Sequence, residues 1–147
     1  MIAIRIQRED FDVGAEVAAL DAEDTGAVAT FTGKVRKEND LTALTLEHYP
    51  GMTEREIARI VDEARTRWPL LGVTIIHRIG RLTPGEKIVL VAIAASHRSA
   101  AFQACEFLMD YLKTKAPFWK QEERNGTVQW VEAKHSDTKA AERWRNK

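Results

Sequence analysis

The sequence predicts an α+β protein in which helices pack on a largely antiparallel sheet. Hydrophobic periodicity gives the order β-α-β-β-α-β-β-α-β-β, with short connections between neighbouring strands. Two turn motifs, Thr83-Pro84-Gly85 and Asn125-Gly126, each lie between strand patterns, as is typical of antiparallel hairpins. The 147 residues suffice for one hydrophobic core, so we expect a single domain over residues 1–147 that ends in a charged tail at 134–147.

The first half of the chain alternates between strand and helix patterns. The predicted elements are a strand at 2–6, a helix at 12–22, and strands at 26–35 and 42–49. We expect the polar loop between the last two strands to be mobile. Thr53 and Glu56 have the spacing of a capping box, which predicts a helix that Pro69 ends.

A continuous apolar run dominates the second half of the chain. Because residues 87–95 show so little alternation, we expect a central strand covered on both faces, paired with residues 73–79. A helix at 99–115, ended by Pro117, should bury a stripe formed by Phe102, Cys105, Met109 and Leu112. The last two predicted strands flank the Asn-Gly turn, at 118–124 and 127–133.

The composition argues against several classes of protein. Twenty-two basic and 22 acidic residues give a formal net charge of zero, so general binding to nucleic acid or to an anionic membrane is not expected. No apolar run approaches the ~20 residues of a membrane helix, and Arg5 and Arg8 interrupt any signal peptide. Cys105 is the single cysteine and should be a buried, inert thiol. The four histidines lack ligand spacing, so we expect no metal and a reducing, cytoplasmic location.

The first candidate site is Ser96-His97-Arg98-Ser99, where a buried strand meets a helix. Free amides at a helix N-terminus, together with an imidazole and a guanidinium group, form an anion site that best suits a phosphate. The alternative is that Ser96 only caps the helix while His97 and Arg98 are solvated.

Lys34 and Arg36 form the second candidate site. The segment resembles a nucleotide-binding phosphate loop only superficially, because that motif requires glycine where Val28 stands and Ser or Thr where Val35 stands. Two residues apart on a strand, Lys34 and Arg36 lie on the same side and can point into one cleft. Two solvated charges on an edge strand are the alternative explanation.

The third candidate site is the segment MDYLKTKAPFWKQE, residues 109–122. Lys113 and Lys115 lie in the last turn of a helix, where the exposed carbonyls favour cations, and this alone explains Lys115. The break at Pro117 should fold the next strand back so that Lys120 approaches Lys113. Like charges that are brought together and partly desolvated lower the pKa of a lysine, which suits it to act as acid, base or nucleophile.

The chain resembles the family of large, catalytic subunits of molybdopterin synthase. Six blocks occur in the family's order: TFTGKVR, LTLEHYPGM, IVDEARTRWPL, VTIIHRIGRLTPGE, SHRSAAF and MDYLKTKAPFWKQE. The resemblance covers residues 26–144. It implies an α/β-hammerhead-like fold with an added antiparallel β subdomain, and a sulfurtransferase for which we expect no cofactor.

The resemblance also implies a substrate and partners. Two sulfurs would pass in succession, through a hemisulfurated intermediate, to cyclic pyranopterin monophosphate (precursor Z), forming the dithiolene of molybdopterin in molybdenum cofactor biosynthesis. The implied donor is the C-terminal Gly-Gly thiocarboxylate of a small ubiquitin-like sulfur-carrier subunit. In the family, a homodimer of large subunits holds one carrier at each end, which makes a heterotetramer.

Several site residues follow from the resemblance. Lys113 matches the family's essential lysine, with Lys120 as the assisting catalytic residue. The implied substrate-binding residues are Lys34, Val35, Arg36, His97, Arg98, Lys113, Lys120, Gln121 and Glu122. Because His97 and Arg98 come from the other protomer in the family dimer, the anion pocket should span an interface. A non-catalytic module that binds a phosphorylated small molecule is the alternative. An RNA-binding sheet that stacks bases on Phe118 and Trp119 is a weaker one.

Overall fold

The structure is a computed structural model that describes residues 1–131 and 135–145. Its helices are α1 (Val13–Leu20), α2 (Met52–Arg67), α3 (Arg98–Thr114) and α4 (His135–Glu142). Its strands are β1 (Ile2–Gln7), β2 (Ala27–Lys34), β3 (Leu41–His48), β4 (Leu70–Arg78), β5 (Gly80–Leu82), β6 (Lys87–Ala95), β7 (Phe118–Arg124) and β8 (Thr127–Val131). The predicted strand end at 132–133, and Lys134 and residues 146–147 of the predicted tail, lie outside the described residues.

The first sheet has the strand order β1-β4-β6-β2. β1 runs parallel to β4, and the other two pairs are antiparallel. As predicted, β6 is an interior strand covered on both faces. Val91 and Ile93 belong to the core cluster under α2 and α3, whereas Leu90 and Ala92 belong to the cluster under α1. Both faces of β6 are apolar because both are sealed from water by helices.

The centre of the larger core cluster is aromatic. The Phe107 ring is fully buried, and its centroid lies 5.4 Å from that of Trp68, 5.5 Å from that of Trp144 and 4.7 Å from that of Tyr111. Trp144 follows α4, so the segment predicted as a charged tail contains a helix and contributes a buried side chain to the core.

The second sheet has the order β5-β3-β7-β8, and all its strands are antiparallel. β7 and β8 form the predicted hairpin. Asn125 and Gly126 have φ angles of 49° and 80°, the left-handed conformation that a two-residue hairpin turn of the primed type requires. The three-residue strand β5 was not predicted, and its pairing with β3 links the β4–β6 connection to the second sheet. A mixed sheet covered by helices, together with a second, antiparallel sheet, confirms the α+β class.

The start of α2 differs from the prediction. Its N-cap is Gly51, and the Glu54 carboxylate accepts a hydrogen bond from the Gly51 amide at 2.9 Å. The Thr53 hydroxyl instead donates to the Pro117 carbonyl oxygen at 2.9 Å. The predicted capping box of Thr53 and Glu56 is therefore wrong, because the N-cap lies two residues earlier and the Thr53 hydroxyl accepts from the Tyr49 amide while it donates to Pro117.

The buried face of α3 also differs from the prediction. Phe102 is 65% exposed, so its assignment to the buried stripe was wrong, whereas Cys105 and Leu112 are buried as predicted and Met109 partly so. The face is centred on Ala101, Ala104, Phe107 and Leu108. The two alanines let the helix lie close to the first sheet, and this turns Phe102 outward.

Candidate active site

A cleft of about 680 Å³ opens between the two sheets, beside the C-terminal end of α3. Five cationic side chains line it: Lys34, Arg36, Lys113, Lys120 and Arg124. The carboxylates that line it are those of Glu38 and Glu122. The excess of positive charge, in a chain of zero formal net charge, suits the cleft to an anionic ligand.

The end of β2 forms one wall of the cleft. Lys34 and Arg36 both line it, as their spacing predicted, and Val35 between them is 2% exposed and packs in the core cluster beneath the second sheet. The Val35 amide donates to the Glu86 carbonyl oxygen at 2.9 Å. Val35 therefore anchors the backbone from which the two cations project.

Pro117 turns the chain from α3 into β7. The Phe118 amide donates to the Ala116 carbonyl oxygen at 2.9 Å, a three-residue turn centred on Pro117, whose fixed φ suits that conformation. Thr53 holds the turn from α2 through the Pro117 carbonyl. The turn places Lys113 and Lys120 on one cleft, as predicted. In the isolated chain Lys113 is exposed and Lys120 is half-buried.

Alternate residues of β7 form the opposite wall. Phe118, Lys120, Glu122 and Arg124 line the cleft, since side chains two apart share one face of a strand. Gln121, a predicted binding residue, belongs to the other face and pairs with Thr45 of β3 and Trp130 of β8. Lys120 and Glu122 therefore line the cleft, while Gln121 lies on the opposite face of β7.

Arg124 was not predicted as a site residue. Its guanidinium group binds three carboxylates: Nη1 lies 2.5 Å from Asp40 Oδ1, Nε lies 3.2 Å from Glu122 Oε1, and Nη2 binds Glu38 Oε2. The contacts with Glu38 and Asp40 link Arg124 to the β2–β3 loop, which was predicted to be mobile. The two-residue periodicity that joins Arg124 to Lys120 and Glu122 is the signal that could have identified it.

His77 is the second cleft residue that the sequence did not single out for function. Its ring is buried and stacks on Phe118, with centroids 3.8 Å apart, and its Nδ1 lies 2.8 Å from the Arg78 carbonyl oxygen. Because a carbonyl only accepts, Nδ1 carries the proton and Nε2 is the acceptor nitrogen. Burial, aided by the nearby Lys113 and His48 and opposed by the hydrogen bond to Arg78, lowers the pKa of His77 to about 4. The ring is therefore neutral near pH 7.

Three other predicted cations lie away from this cleft. Lys115 lines a separate small pocket together with α4, consistent with a helix-end charge. His97 and Arg98 are exposed at the N-terminus of α3 and precede Lys113 by 16 and 15 residues, which places them about 23 Å from it along the helix. The N-cap of α3 is His97, so Ser96 does not cap this helix.

The Cys105 thiol is buried, and burial raises its pKa to about 11, which confirms it as an inert thiol. Over residues 1–131 and 135–145, no group of three or more His, Cys, Asp or Glu side chains is arranged to hold a metal ion. In the same part of the chain, no helix has the length and apolarity needed to cross a membrane.

Fold and cleft together define a class: a two-sheet α+β protein with a cation-lined cleft that suits an anionic ligand. The sequence matches the family model described as MoaE protein over residues 6–115. The chain belongs to this family, which confirms the resemblance seen in the sequence.

The curated and solved relatives agree with this family. The molybdopterin synthase catalytic subunit of Mesorhizobium japonicum is 59% identical over 148 residues, covering 97% of this chain and 93% of the relative. The molybdopterin biosynthesis MoaE protein from Burkholderia ambifaria has a TM-score of 0.86 and 53% identity, covering 99% of both chains. These relationships confirm the predicted enzyme class and do not favour a non-catalytic binding module.

A more distant likeness concerns the fold alone. One chain of a complex of subunits 1 and 2 of the molybdopterin-converting factor from Helicobacter pylori has a TM-score of 0.75 at 20% identity, covering 88% of this chain and 90% of that one.

Proposed function

We propose that this chain, as one domain, is the catalytic subunit of a molybdopterin synthase that acts in the cytoplasm. It transfers two sulfurs, one after the other, from a carrier thiocarboxylate to cyclic pyranopterin monophosphate and so forms the dithiolene of molybdopterin. The observation that carries the proposal is the cation-lined cleft whose lining includes both Lys113 and Lys120.

The chemistry explains why cations line the cleft. The substrate bears a cyclic phosphate that must open, and the attacking thiocarboxylate is itself an anion. Bringing two anions together requires positive charge that is already in place, and the charge that develops on the departing phosphate oxygen needs the same stabilisation. Lys34 and Arg36 on one wall and Lys120 on the other supply it.

Lys113 and Lys120 are the proposed catalytic residues. Both lie on the cleft and both can donate protons, Lys113 from the end of a rigid helix and Lys120 from the half-buried strand opposite. Glu122 lines the same wall, and Val35 and Gln121 support the substrate-binding residues from behind. In this assignment Lys113 is the primary catalytic residue and Lys120 assists it.

The sulfur passes directly from carrier to substrate in this proposal. A relay through the enzyme would need an accessible thiolate, and the chain has a single cysteine. Cys105 is buried, and its pKa of about 11 keeps it protonated near pH 7. No persulfide on this chain is therefore part of the reaction.

We also propose a homodimer, in which His97 and Arg98 of a second copy complete the anion pocket. Within one chain these residues lie at the far end of α3 from the cleft. The edge strand β2 exposes Val28 and Phe31, and the neighbouring α3 exposes Phe102. An apolar sheet edge beside the cleft supports a subunit contact there.

The sulfur donor in the proposal is a small ubiquitin-like carrier whose C-terminal Gly-Gly tail enters the cleft. Two carriers on one homodimer give a heterotetramer. The Helicobacter pylori protein of similar fold is a complex of two subunits, which supports a two-component enzyme. A flexible, side-chain-free tail suits a cleft that must hold the pterin as well.

Reconstitution tests this function. We expect the purified chain to be inactive alone and to form the dithiolene product when thiocarboxylated carrier and the cyclic pterin are added. Carrier without the thiocarboxylate is the control. Binding of the pterin without any sulfur transfer in the complete mixture would identify a binding module and overturn the proposal.

A further inference from the structure

Arg124 connects the two walls of the cleft. It lies on β7, the wall that carries Lys120, and it binds Glu38 and Asp40 of the loop that follows β2. Its Nε also lies 3.2 Å from Glu122 Oε1 on its own strand. We call these four residues the Arg124 cluster.

The loop held by the cluster carries Arg36. Arg36 Nε lies 3.7 Å from Glu38 Oε1, while the other oxygen of the same carboxylate binds Arg124. The Glu38 carboxylate is therefore shared between two guanidinium groups, one oxygen to each. The Arg36 side chain is 72% exposed, so packing does little to fix it, and the carboxylate that its guanidinium group approaches is that of Glu38.

The cluster also affects the electrostatic potential of the cleft. Two carboxylates, Glu38 and Glu122, line a cleft that is proposed to bind anions, and unpaired they would repel such a ligand. Arg124 binds both of them. Its hydrogen bonds to Glu38, then Glu122 and Asp40, raise the pKa of Arg124, so a positive charge stays beside these carboxylates at every pH of interest and offsets part of their negative charge.

We propose that Arg124 is a positioning residue for sulfur transfer: it holds the Glu38 carboxylate and, through it, sets Arg36 at the mouth of the cleft for the anionic group of the substrate. Lysine would serve poorly at this position, because one ammonium group cannot present a planar fork to three carboxylates at once. The inference rests on the proposed function for the identity of the ligand, but the restraint of the loop does not depend on it.

A matched control lies on the opposite face of the same sheet. Arg81 of β5 pairs with Glu123 of β7, with Nε 3.0 Å from Oε2 and Nη2 3.4 Å from Oε1. This pair is also an exposed arginine–carboxylate contact next to the same strand, but it lies away from the cleft and from the β2–β3 loop. Removing Arg81 therefore removes a comparable ion pair without touching Arg36.

The test uses the full chain and three variants: Arg124→Gln, Arg124→Lys and Arg81→Gln. Hydrogen exchange of the 36–41 amides, among them the Leu41 amide that donates to the Glu38 carbonyl at 3.3 Å, reports the restraint without any turnover. We expect exchange about tenfold faster in Arg124→Gln and unchanged in Arg81→Gln. In the reconstituted synthase, the KM for the cyclic pterin should rise about fivefold in Arg124→Gln, with kcat within about twofold of wild type.

Arg124→Lys separates positioning from charge. It keeps the positive charge but loses the fork, so loop exchange should stay fast and KM should be restored only in part. Full restoration of KM by lysine, unchanged loop exchange in Arg124→Gln, or an equal effect of Arg81→Gln would each overturn the proposal. A wild-type chain that transfers no sulfur would instead overturn the proposed function, while the exchange data would still decide whether Arg124 restrains the loop.

Discussion

The two sheets of this molecule differ in burial far more than in size. In β4 and β6 of the first sheet, seven of nine residues are buried in each strand, whereas no residue of β7 or β8 in the second sheet is buried. The first sheet is sealed by helices on both faces, and the second presents its charged face to the cleft. The first sheet therefore carries the larger part of the core, whereas β7 of the second sheet forms one charged wall of the cleft, opposite Lys34 of the first sheet and beside Lys113 of α3.

This separation has a physical cause. The interior of a strand covered on both faces excludes unpaired charges, because the cost of desolvating each one would exceed what the strand gains from burial. The cations of these strands fit this rule, since Lys87 lies at the partly buried start of β6 and the buried Arg78 of β4 binds Glu86 and the Arg8 carbonyl oxygen. A half-exposed strand can carry a charge at every second position without that cost. The comparison predicts that substitutions of the charged cleft residues change activity with little effect on stability, and that substitutions in the core do the reverse.

The largest effect is expected for Lys113. Lys113→Ala should lower the turnover of the reconstituted synthase about 10³-fold, because it removes the group proposed to transfer protons at the cleft. Lys115→Ala, two residues further along the same helix end but outside the cleft, should keep turnover within about twofold. Both variants should unfold at the wild-type urea concentration. Equal losses in the two variants would contradict the assignment of Lys113.

Among the core residues, Phe107 is expected to contribute most clearly to stability. Phe107→Ala should lower the free energy of unfolding by about 3–5 kcal/mol, because it leaves a cavity among Trp68, Tyr111 and Trp144. Trp130, on β8, is 54% exposed, and Trp130→Thr should change the same quantity by less than about 0.5 kcal/mol. Urea unfolding of the chain alone measures both. A similar cost at the two positions would show that the second sheet is as stabilising as the first.

His77 lies between the two regions and should make stability depend on pH. The folded chain keeps the imidazole neutral down to about pH 4, whereas the unfolded chain protonates it near 6.5. Between these values the unfolded state binds the extra proton, so stability falls as the pH is lowered. From pH 7 to pH 5 this amounts to about 2 kcal/mol. Urea unfolding of wild type and His77→Asn at pH 7 and pH 5 measures this contribution as the difference between their changes in the free energy of unfolding. An imidazole NMR titration midpoint near 6.5 in the folded protein would refute it.

The smallest effect is expected at Gly33, where the first sheet meets the cleft. A Cβ at this position would lie 2.8 Å from Val89 Cγ1 and 3.3 Å from Phe31 Cε1. Gly33→Ala should therefore cost about 1 kcal/mol of stability, because one of these side chains must move. The cost should be smaller in a Val89→Ala background, which removes the nearer neighbour. Additive effects in a double-mutant cycle of thermal unfolding would rule out this contact as the cause.

Most of the fold could be predicted from the sequence because local patterns dominate it. The apolar run of β6, the Asn125-Gly126 turn and the break at Pro117 each act through their own neighbours, and each has its predicted structural effect. The errors have tertiary causes. Thr53 bonds to Pro117 rather than capping α2, Phe102 faces outward because small residues seat α3 on the sheet, and β5 is too short to show periodicity.

The candidate site could be predicted only in part for the same reason. Lys34 and Arg36, and Lys113 with Lys120, are each close in sequence, so strand alternation and one turn suffice to bring each pair to the cleft. Arg124 depends on carboxylates more than 80 residues away, and His77 depends on a ring stack with Phe118. No local sequence pattern predicts either contact, because each joins residues that come together only when the two sheets pack in the folded chain.

The burial of Cys105 bears on how such an enzyme behaves under oxidising conditions. A chain that handles sulfur yet keeps its one thiol protonated and out of reach presents little for peroxide or alkylating reagents to attack. In the proposed complex the reactive sulfur belongs to the carrier alone. Damage by oxidants would then fall on a small, replaceable donor, and the larger catalytic subunit would remain competent for the next carrier that docks.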